Sequence, residues 1–215
     1  LDLAITVEPE AGSPLLGPRG FRLAAREALR QIAETMVAEA ADDGLLHGYS
    51  FIDNRGMRAL LAAAEILDEP TYRRPALRWG RIMMERQRPD GGYRMGYGIT
   101  SRGEECYVAD GGEIAVGIAR LAADSTGRQR QEFMASLDAY MAYRESFRVP
   151  TGGIGVGWCL TDYGRRPLTR LETPTRILAP EMNTYTITCT LAAAYAHAAL
   201  HGSRPLEHRA EADAM

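Results

Sequence analysis

Residues 111–123, GGEIAVGIARLAA, decide the fold, because apolar residues occupy nearly every side of the helix that they form. A helix that is apolar all round must be surrounded by other elements. The segments on either side of it in the chain, at 71–87 and 128–147, are charged and amphipathic. We therefore expect residues 111–123 to form an inner helix that packs against outer helices, each of which has one solvent-exposed face.

The alternation of charged and apolar helices continues along the chain. Charged helices are predicted at 19–41, 71–87 and 128–147, and apolar helices at 54–67, 111–123 and 182–200. The pattern predicts an all-α domain over 18–215, in which consecutive helical hairpins place apolar helices inside and amphipathic helices outside. Residues 1–17 are expected to form a short N-terminal strand and a linker, because apolar and polar residues alternate from Leu1 to Val7.

Charge and composition exclude several classes of partner. The net charge is −3, and the arginines are spread along the helices without a basic block, so we expect no nucleic-acid partner. No apolar run is long enough for a membrane span, so no membrane partner is expected.

The chain contains no lysine, which excludes Schiff-base chemistry. Three scattered cysteines without a CxxC pair favour a reducing compartment such as the bacterial cytoplasm.

Loops rich in glycine and aromatic residues recur after the outer helices. They are DGLLHGY at 43–49, DGGYRMGY at 90–97 and TGGIGVGW at 151–158, at intervals of roughly fifty to sixty residues. Acidic residues follow each loop before the next apolar helix: Asp53, then Asp110 with Glu113, then Glu181. If the inner helices run parallel, these acids meet at one mouth of the domain.

This arrangement resembles the α/α-toroid superfamily over residues 19–201, in particular the six-hairpin glycosidases and related polysaccharide-degrading enzymes. The loop QRPDGGY at 87–93 is similar to the loop that such toroids, and also prenyltransferase and terpene-cyclase toroids, use after an outer helix. A closed toroid of this kind has about six hairpins, whereas this chain holds about three. We therefore expect an incomplete (α/α)6 barrel, completed either by the remainder of a longer protein or by another copy of the chain.

The resemblance implies a carbohydrate-active enzyme, a glycoside hydrolase or polysaccharide lyase, whose substrate is an oligosaccharide, with uronic-acid-containing chains among the candidates. Glycoside hydrolysis needs two carboxyl groups flanking the scissile bond, one as proton donor and one as base or nucleophile. The predicted catalytic residues are Asp110, Asp53, Glu181 and Glu113. The prediction includes no cofactor and no metal ion.

A second interpretation gives the acids a structural role. Aspartate is a preferred helix N-cap, and Asp110-Gly111-Gly112-Glu113 is close to a capping box. As caps, Asp53 and Asp110 would satisfy backbone N–H groups and take no part in chemistry.

Aromatic and polar side chains in or beside the same loops are the predicted substrate-binding residues. Aromatic rings can stack on the apolar faces of sugars, glycines let the backbone approach a ligand, and a guanidinium binds a carboxylate through two hydrogen bonds. The predicted residues are Tyr49, Tyr93, Arg94, Tyr97, Glu105, Trp158, Asn183 and Tyr185.

Two other patterns are assigned no function. Residues 153–157, GIGVG, follow a helix rather than a strand, so the structural context of a dinucleotide-binding loop is missing. His197 and His201 have a spacing that can bind a metal ion, but the sequence places no third ligand beside them, and we expect both to be structural.

Two alternative functions remain open. A toroid that acts on prenyl or terpenoid substrates would have an apolar, aromatic central cavity. A non-catalytic helical scaffold would use the acids only as caps.

Overall fold

The computed structural model describes residues 18–40, 45–95, 106–148, 154, 158–159 and 184–201. These residues form mainly helices, which confirms the all-α prediction: α1 (Pro18–Glu39), α2 (Ser50–Leu67), α3 (Arg73–Glu85), α4 (Val108–Asp124), α5 (Gly127–Glu145) and α6 (Thr184–Leu200). A single 3-10 turn, Pro70–Tyr72, precedes α3. Strand β1 (Cys106–Tyr107) pairs antiparallel with β2 (Trp158–Cys159). The predicted N-terminal strand and linker at 1–17 lie outside the described residues.

Helix α4 lies at the centre of the described helices. It packs against α2, α5 and α6, while α2 also packs against α1 and α3. Helix α4 thus contacts both of the other apolar helices, and each charged helix contacts at least one of the three apolar ones. None of the described helices has the length and hydropathy needed to cross a bilayer.

Most of α4 is buried, but one stripe along it faces outward. The stripe consists of Asp110, Glu113, Val116, Arg120 and Ala123, whose spacing of three or four residues places them on one side of the helix. The other sides are buried against neighbouring helices and contribute fully buried residues such as Ile114, Ile118 and Leu121 to the core. The expectation that this helix is enclosed on every side is therefore wrong for this stripe alone.

Two glycines of α4 let the neighbouring helices approach its backbone closely. A Cβ atom at Gly112 would lie 2.7 Å from the backbone carbonyl of Cys189 on α6. A Cβ atom at Gly117 would lie 1.9 Å from Oδ1 of Asn54 on α2 and 2.9 Å from the ring of Trp79. Because real Cβ contacts do not become this short, a side chain at Gly112 would collide with the α6 backbone, and one at Gly117 would force the buried Asn54 and Trp79 side chains to move.

Candidate active site

The first turns of α4 and α6 bring together two of the predicted site residues, Asp110 and Tyr185. The Tyr185 hydroxyl donates a hydrogen bond of 2.9 Å to Oδ1 of Asp110. Burial raises the pKa of the Asp110 carboxyl. The hydrogen bond from Tyr185 and the positive charge of Arg55 lower this pKa, whereas the negative charge of Glu113 raises it further. The net result is a pKa above the ordinary value for aspartate, the direction that suits a proton donor.

A second carboxylate, Glu113, lies one turn further along α4 and has polar partners from both adjacent helices. The guanidinium of Arg55 on α2 lies 3.7 Å from Oε1 of Glu113. The Cys189 thiol on α6 donates to the same oxygen at 3.6 Å. Burial, followed by the charge of Glu113, raises the pKa of Cys189 to about 12, so this thiol stays protonated and is not a nucleophile at neutral pH.

A groove lies between α2, α4 and α6, and Arg55, the ion-pair partner of Glu113, is one of its lining residues. The groove has a cavity volume of about 850 Å³ and is lined by Arg55, Arg58, Ala59, Ala62, Glu65, Val116, Ala119, Arg120, Ala123, Ala196, Ala199 and Leu200. Its wall on α4 continues the outward stripe that carries Asp110 and Glu113. Since Tyr185 meets Asp110 near the N-termini, and Ala123 and Ala199 near the C-termini line the same groove, α4 and α6 run in the same direction.

Two tyrosines of α5 anchor the segment that leads into α4. The hydroxyl of Tyr140 donates to the carbonyl of Val108 at 2.7 Å, and that of Tyr143 donates to the carbonyl of Cys106 at 2.9 Å. Gly111 admits the Tyr140 ring, because a Cβ there would lie 2.7 Å from it. The outer layer thus fixes the backbone next to Asp110.

The structure places Asp53 on the buried side of α2 and not on the groove. Its exposed fraction is 1%, and Oδ2 accepts a hydrogen bond of 3.4 Å from the Gly48 N–H. Arg55, two residues later, points to the groove instead, because successive helical residues are rotated by about 100°. Burial therefore gives Asp53 a structural position from which it cannot touch a ligand in the groove.

Neither aspartate occupies a helix N-cap position. The N-cap positions of α2 and α4 are Tyr49 and Tyr107, and neither helix has a side-chain cap hydrogen bond. Both helices begin earlier than the sequence indicated, at Ser50 and Val108 rather than at 54 and 111. Asp53 and Asp110 consequently lie inside the first turn, where the positive end of the helix dipole favours a carboxylate.

Tyr93, predicted to bind substrate, is instead a core residue. Its exposed fraction is 1%, its ring stacks on Tyr140 with a centroid distance of 5.5 Å, and its hydroxyl shares a hydrogen bond of 2.8 Å with Ser136. The loop that carries it is held to α5 by Gln87, which donates to the carbonyls of Gly91 and Ser136, each at 2.9 Å. The toroid-like loop thus has a packing role here.

Two further predicted binding residues lie in the described part of the chain, away from the groove. Arg94 donates a hydrogen bond to the carbonyl of Arg86, and its own carbonyl accepts from the Ser50 hydroxyl at 2.6 Å. Tyr49 is half-buried, with its ring between those of His47 and Phe51. These contacts fix the loop 94–95 to the start of α2.

The other predicted site residues lie either outside the described residues or in strand β2. Glu181, Asn183, Tyr97 and Glu105 lie outside the described residues. Trp158 belongs to β2 and pairs with Tyr107 of β1, the strand that directly precedes α4. Sequence reasoning missed Arg55 and Cys189, although the four-residue spacing of Tyr185 and Cys189 places both on one face of α6.

No protein-family model matches this chain, and no curated protein matches its sequence. The function proposed below therefore depends on the geometry of the site and on the pattern of the sequence.

The neighbours of Asp110 give a prediction that is independent of any substrate. Replacing Tyr185 with phenylalanine removes a hydrogen bond to the ionised carboxylate, so the pKa of Asp110 should rise further. Glu113→Gln removes a nearby negative charge, so the pKa should fall. Carbon-detected NMR titration of the aspartate carboxyl groups measures both shifts.

Asp90 provides the internal reference for this titration. Although burial raises the pKa of Asp90, hydrogen bonds from Arg88 and from the Gly92 N–H lower it below the ordinary value. Neither variant should change it. Shifts of Asp110 in the same direction in both variants would contradict the described environment.

Proposed function

We propose that this chain is part of an α/α-toroid glycoside hydrolase that cleaves an anionic oligosaccharide bound in the groove between α2, α4 and α6. The alternation of apolar and charged helices and the parallel run of α4 and α6 support the toroidal arrangement. The observation that carries the activity is that Asp110, a carboxyl whose pKa is raised by burial, lies one helical turn from a second carboxylate, Glu113, whose partner Arg55 lines the groove.

The two carboxyl groups have different surroundings, which suits the two roles in glycoside hydrolysis. Protonated Asp110 donates its proton to the glycosidic oxygen while the bond from that oxygen to the anomeric carbon breaks. Glu113, which faces Arg55, attacks the anomeric carbon as that bond breaks, and water then hydrolyses the resulting glycosyl ester while giving its proton to Asp110. Residues three apart on a helix have Cβ atoms roughly 5–6 Å apart, so both side chains can reach one glycosidic bond.

The charge of the groove favours an acidic sugar. Three arginines and one glutamate line it: Arg120 is paired with Glu65 at 2.7 Å, Arg55 lies 3.7 Å from Glu113, and Arg58 stands on the same α2 wall as Arg55. A guanidinium binds a carboxylate through two parallel hydrogen bonds, as a uronic acid would require. The described lining contains alanine, valine and leucine but no aromatic ring, which disfavours the prenyl or terpenoid alternative.

The direct test is a screen of uronic-acid-containing and neutral oligosaccharides with the purified protein. Hydrolysis releases a new reducing end without an unsaturated product, whereas elimination produces an unsaturated uronate that absorbs in the ultraviolet. Release of reducing ends from acidic chains supports the proposal. Ultraviolet-absorbing products would reassign the protein as a lyase, and cleavage of neither class would reject the proposed activity.

Reversing one charge in the groove should weaken binding of an acidic oligosaccharide. Arg58→Glu is expected to reduce the affinity by about tenfold or more, because like charges across a contact repel and an ion pair is lost. Isothermal titration calorimetry at two salt concentrations measures the change in affinity and how far salt screens it. Arg78→Glu, on the exposed side of α3, is the matched control and should bind as the wild type does. Equal losses in both variants would indicate an effect of net charge alone.

A further inference from the structure

A cluster of three potential metal ligands lies at the opposite end of α6 from Tyr185. His197 and His201 come from the C-terminal end of α6, and Asp138 comes from the exposed side of α5. The amide of His201 donates to the carbonyl of His197 at 3.2 Å, so the helical spacing continues through His201. About 18 Å of helix separate Tyr185 from His197, so this cluster is distinct from the proposed active site.

The two imidazoles converge on a single carboxylate oxygen. Nε2 of His197 lies 2.6 Å from Oδ1 of Asp138, and Nε2 of His201 lies 3.1 Å from the same atom. The ring centroids are 4.4 Å apart. One potential ligand atom from each residue therefore lies within 4.8 Å of the others.

We propose that His197, His201 and Asp138 form a binding site for a divalent transition-metal ion, with Zn²⁺ as the ion to test first. Zinc bonds to imidazole nitrogen and carboxylate oxygen have lengths of about 2.0–2.2 Å, so ligand atoms in a tetrahedral site lie about 3.3 Å apart. The two His–Asp separations of 2.6 and 3.1 Å lie within about 0.7 Å of this distance, and no separation in the cluster exceeds it by more than about 1.5 Å. Two imidazoles and one carboxylate suit zinc and its neighbours in the first transition series better than Mg²⁺ or Ca²⁺, which prefer oxygen ligands.

The surroundings of the cluster also suit a cation. The described residues one turn away on the two helices include Met134, Met141, Ala193 and Ala194, none of which carries a charge that would compete for the carboxylate. The side chain of Asp138 is 50% exposed and that of His201 39%, which leaves a path for the ion from solvent. With three protein ligands, a fourth position remains for water or for a further group.

Binding of zinc to the purified protein tests this site directly. Isothermal titration calorimetry with ZnCl₂, in a reducing agent that does not chelate zinc, should show saturable binding of one ion per chain. His197→Gln and Asp138→Asn should each weaken it by at least about tenfold, the scale found even for changes outside the ligand set. Asp138 is 50% exposed and His197 is partly exposed at 23%, and circular dichroism should show that both variants fold as the wild type does.

His47→Gln is the matched control, because it makes the same substitution at an exposed histidine remote from the cluster. It should bind zinc as the wild type does. Substitution with Co²⁺ adds a spectroscopic readout: a site with imidazole and carboxylate ligands should give visible absorption bands without the strong charge-transfer band of a thiolate ligand. The proposal is overturned if the wild type shows no saturable binding, if the cluster variants bind as tightly as the control, or if the cobalt spectrum indicates cysteine ligation.

Discussion

Asp110→Asn should reduce kcat by about 10²–10⁴-fold, the usual contribution of a general acid. Asparagine keeps the shape of the side chain and can still accept the bond from Tyr185, but it has no proton to give to the glycosidic oxygen. Initial rates on a cleavable acidic oligosaccharide measure the loss. The Kd of the same oligosaccharide should change little, because the lost interaction belongs to the transition state.

The same substitution should raise the melting temperature at neutral pH. The pKa of Asp110 in the folded protein lies above the ordinary value of 3.8, so its protonated form contributes stability that is lost as the pH rises towards the folded-state pKa. Asparagine does not ionise, so the difference in melting temperature between the variant and the wild type should be small in acid and grow towards neutral pH. An aspartate whose ionised form is stabilised by its surroundings would show the opposite sign, with lower stability after substitution at neutral pH.

Asp68→Asn is the matched control for this experiment. Asp68 is the exposed C-cap of α2 with a φ of 58°, a conformation that asparagine tolerates well, and it lies outside the groove. Its activity should equal that of the wild type. Full activity of Asp110→Asn would exclude Asp110 as the proton donor and would favour the non-catalytic alternative.

Gly91→Ala should lower the free energy of unfolding by about 3–5 kcal/mol, within the range of severe single substitutions. Gly91 has a φ of 93°, which is unfavourable for alanine, and the added Cβ would lie 2.0 Å from the carbonyl oxygen of Ala139 on α5. Because the contact is with backbone, no side-chain rotation can relieve it. Urea denaturation at fixed pH measures the change.

Gly48→Ala separates the two causes of this effect. Gly48 has a nearly equal φ of 98°, but no heavy atom lies within 4 Å of an added Cβ. This variant should lose only about 1–2 kcal/mol, the cost of the left-handed backbone conformation. Equal losses in the two variants would show that the contact of the added Cβ with α5 adds nothing to the destabilisation caused by Gly91→Ala.

The sequence predicts the helices well because their signal is local. Each run of apolar or charged residues is longer than a helical turn, and its periodicity survives whatever the helix packs against. The predicted starts of α2 and α4 are less accurate because neither helix has one of the usual capping residues: a tyrosine occupies each N-cap position. That shift of a few residues also made the aspartates resemble caps.

The candidate site could be predicted only in part. Asp110, Glu113 and Tyr185 share a site because they follow glycine-rich loops at the starts of inner helices, a regularity that the sequence displays. Asp53 follows a similar loop, but its position on the helix turns it towards the core. Which side of a helix is covered depends on tertiary contacts, which local periodicity does not specify.

The histidine cluster and Tyr93 illustrate the same limit. The spacing of His197 and His201 is visible in sequence, but their third partner, Asp138, lies 59 residues before His197 and on another helix. Tyr93 belongs to a loop that looks like a ligand-binding loop, yet Ser136 on α5 supplies the hydroxyl partner that lets the ring be buried.

The alanines of the groove have a consequence for adapting the protein. Ala59, Ala62, Ala123 and Ala199 present only methyl groups to the cavity, so its width is set by the separation of the helix backbones. A leucine or methionine at any of these exposed positions would fill space in the channel without displacing a core side chain. The shape of the molecules admitted could thus be varied one position at a time, with little penalty for folding.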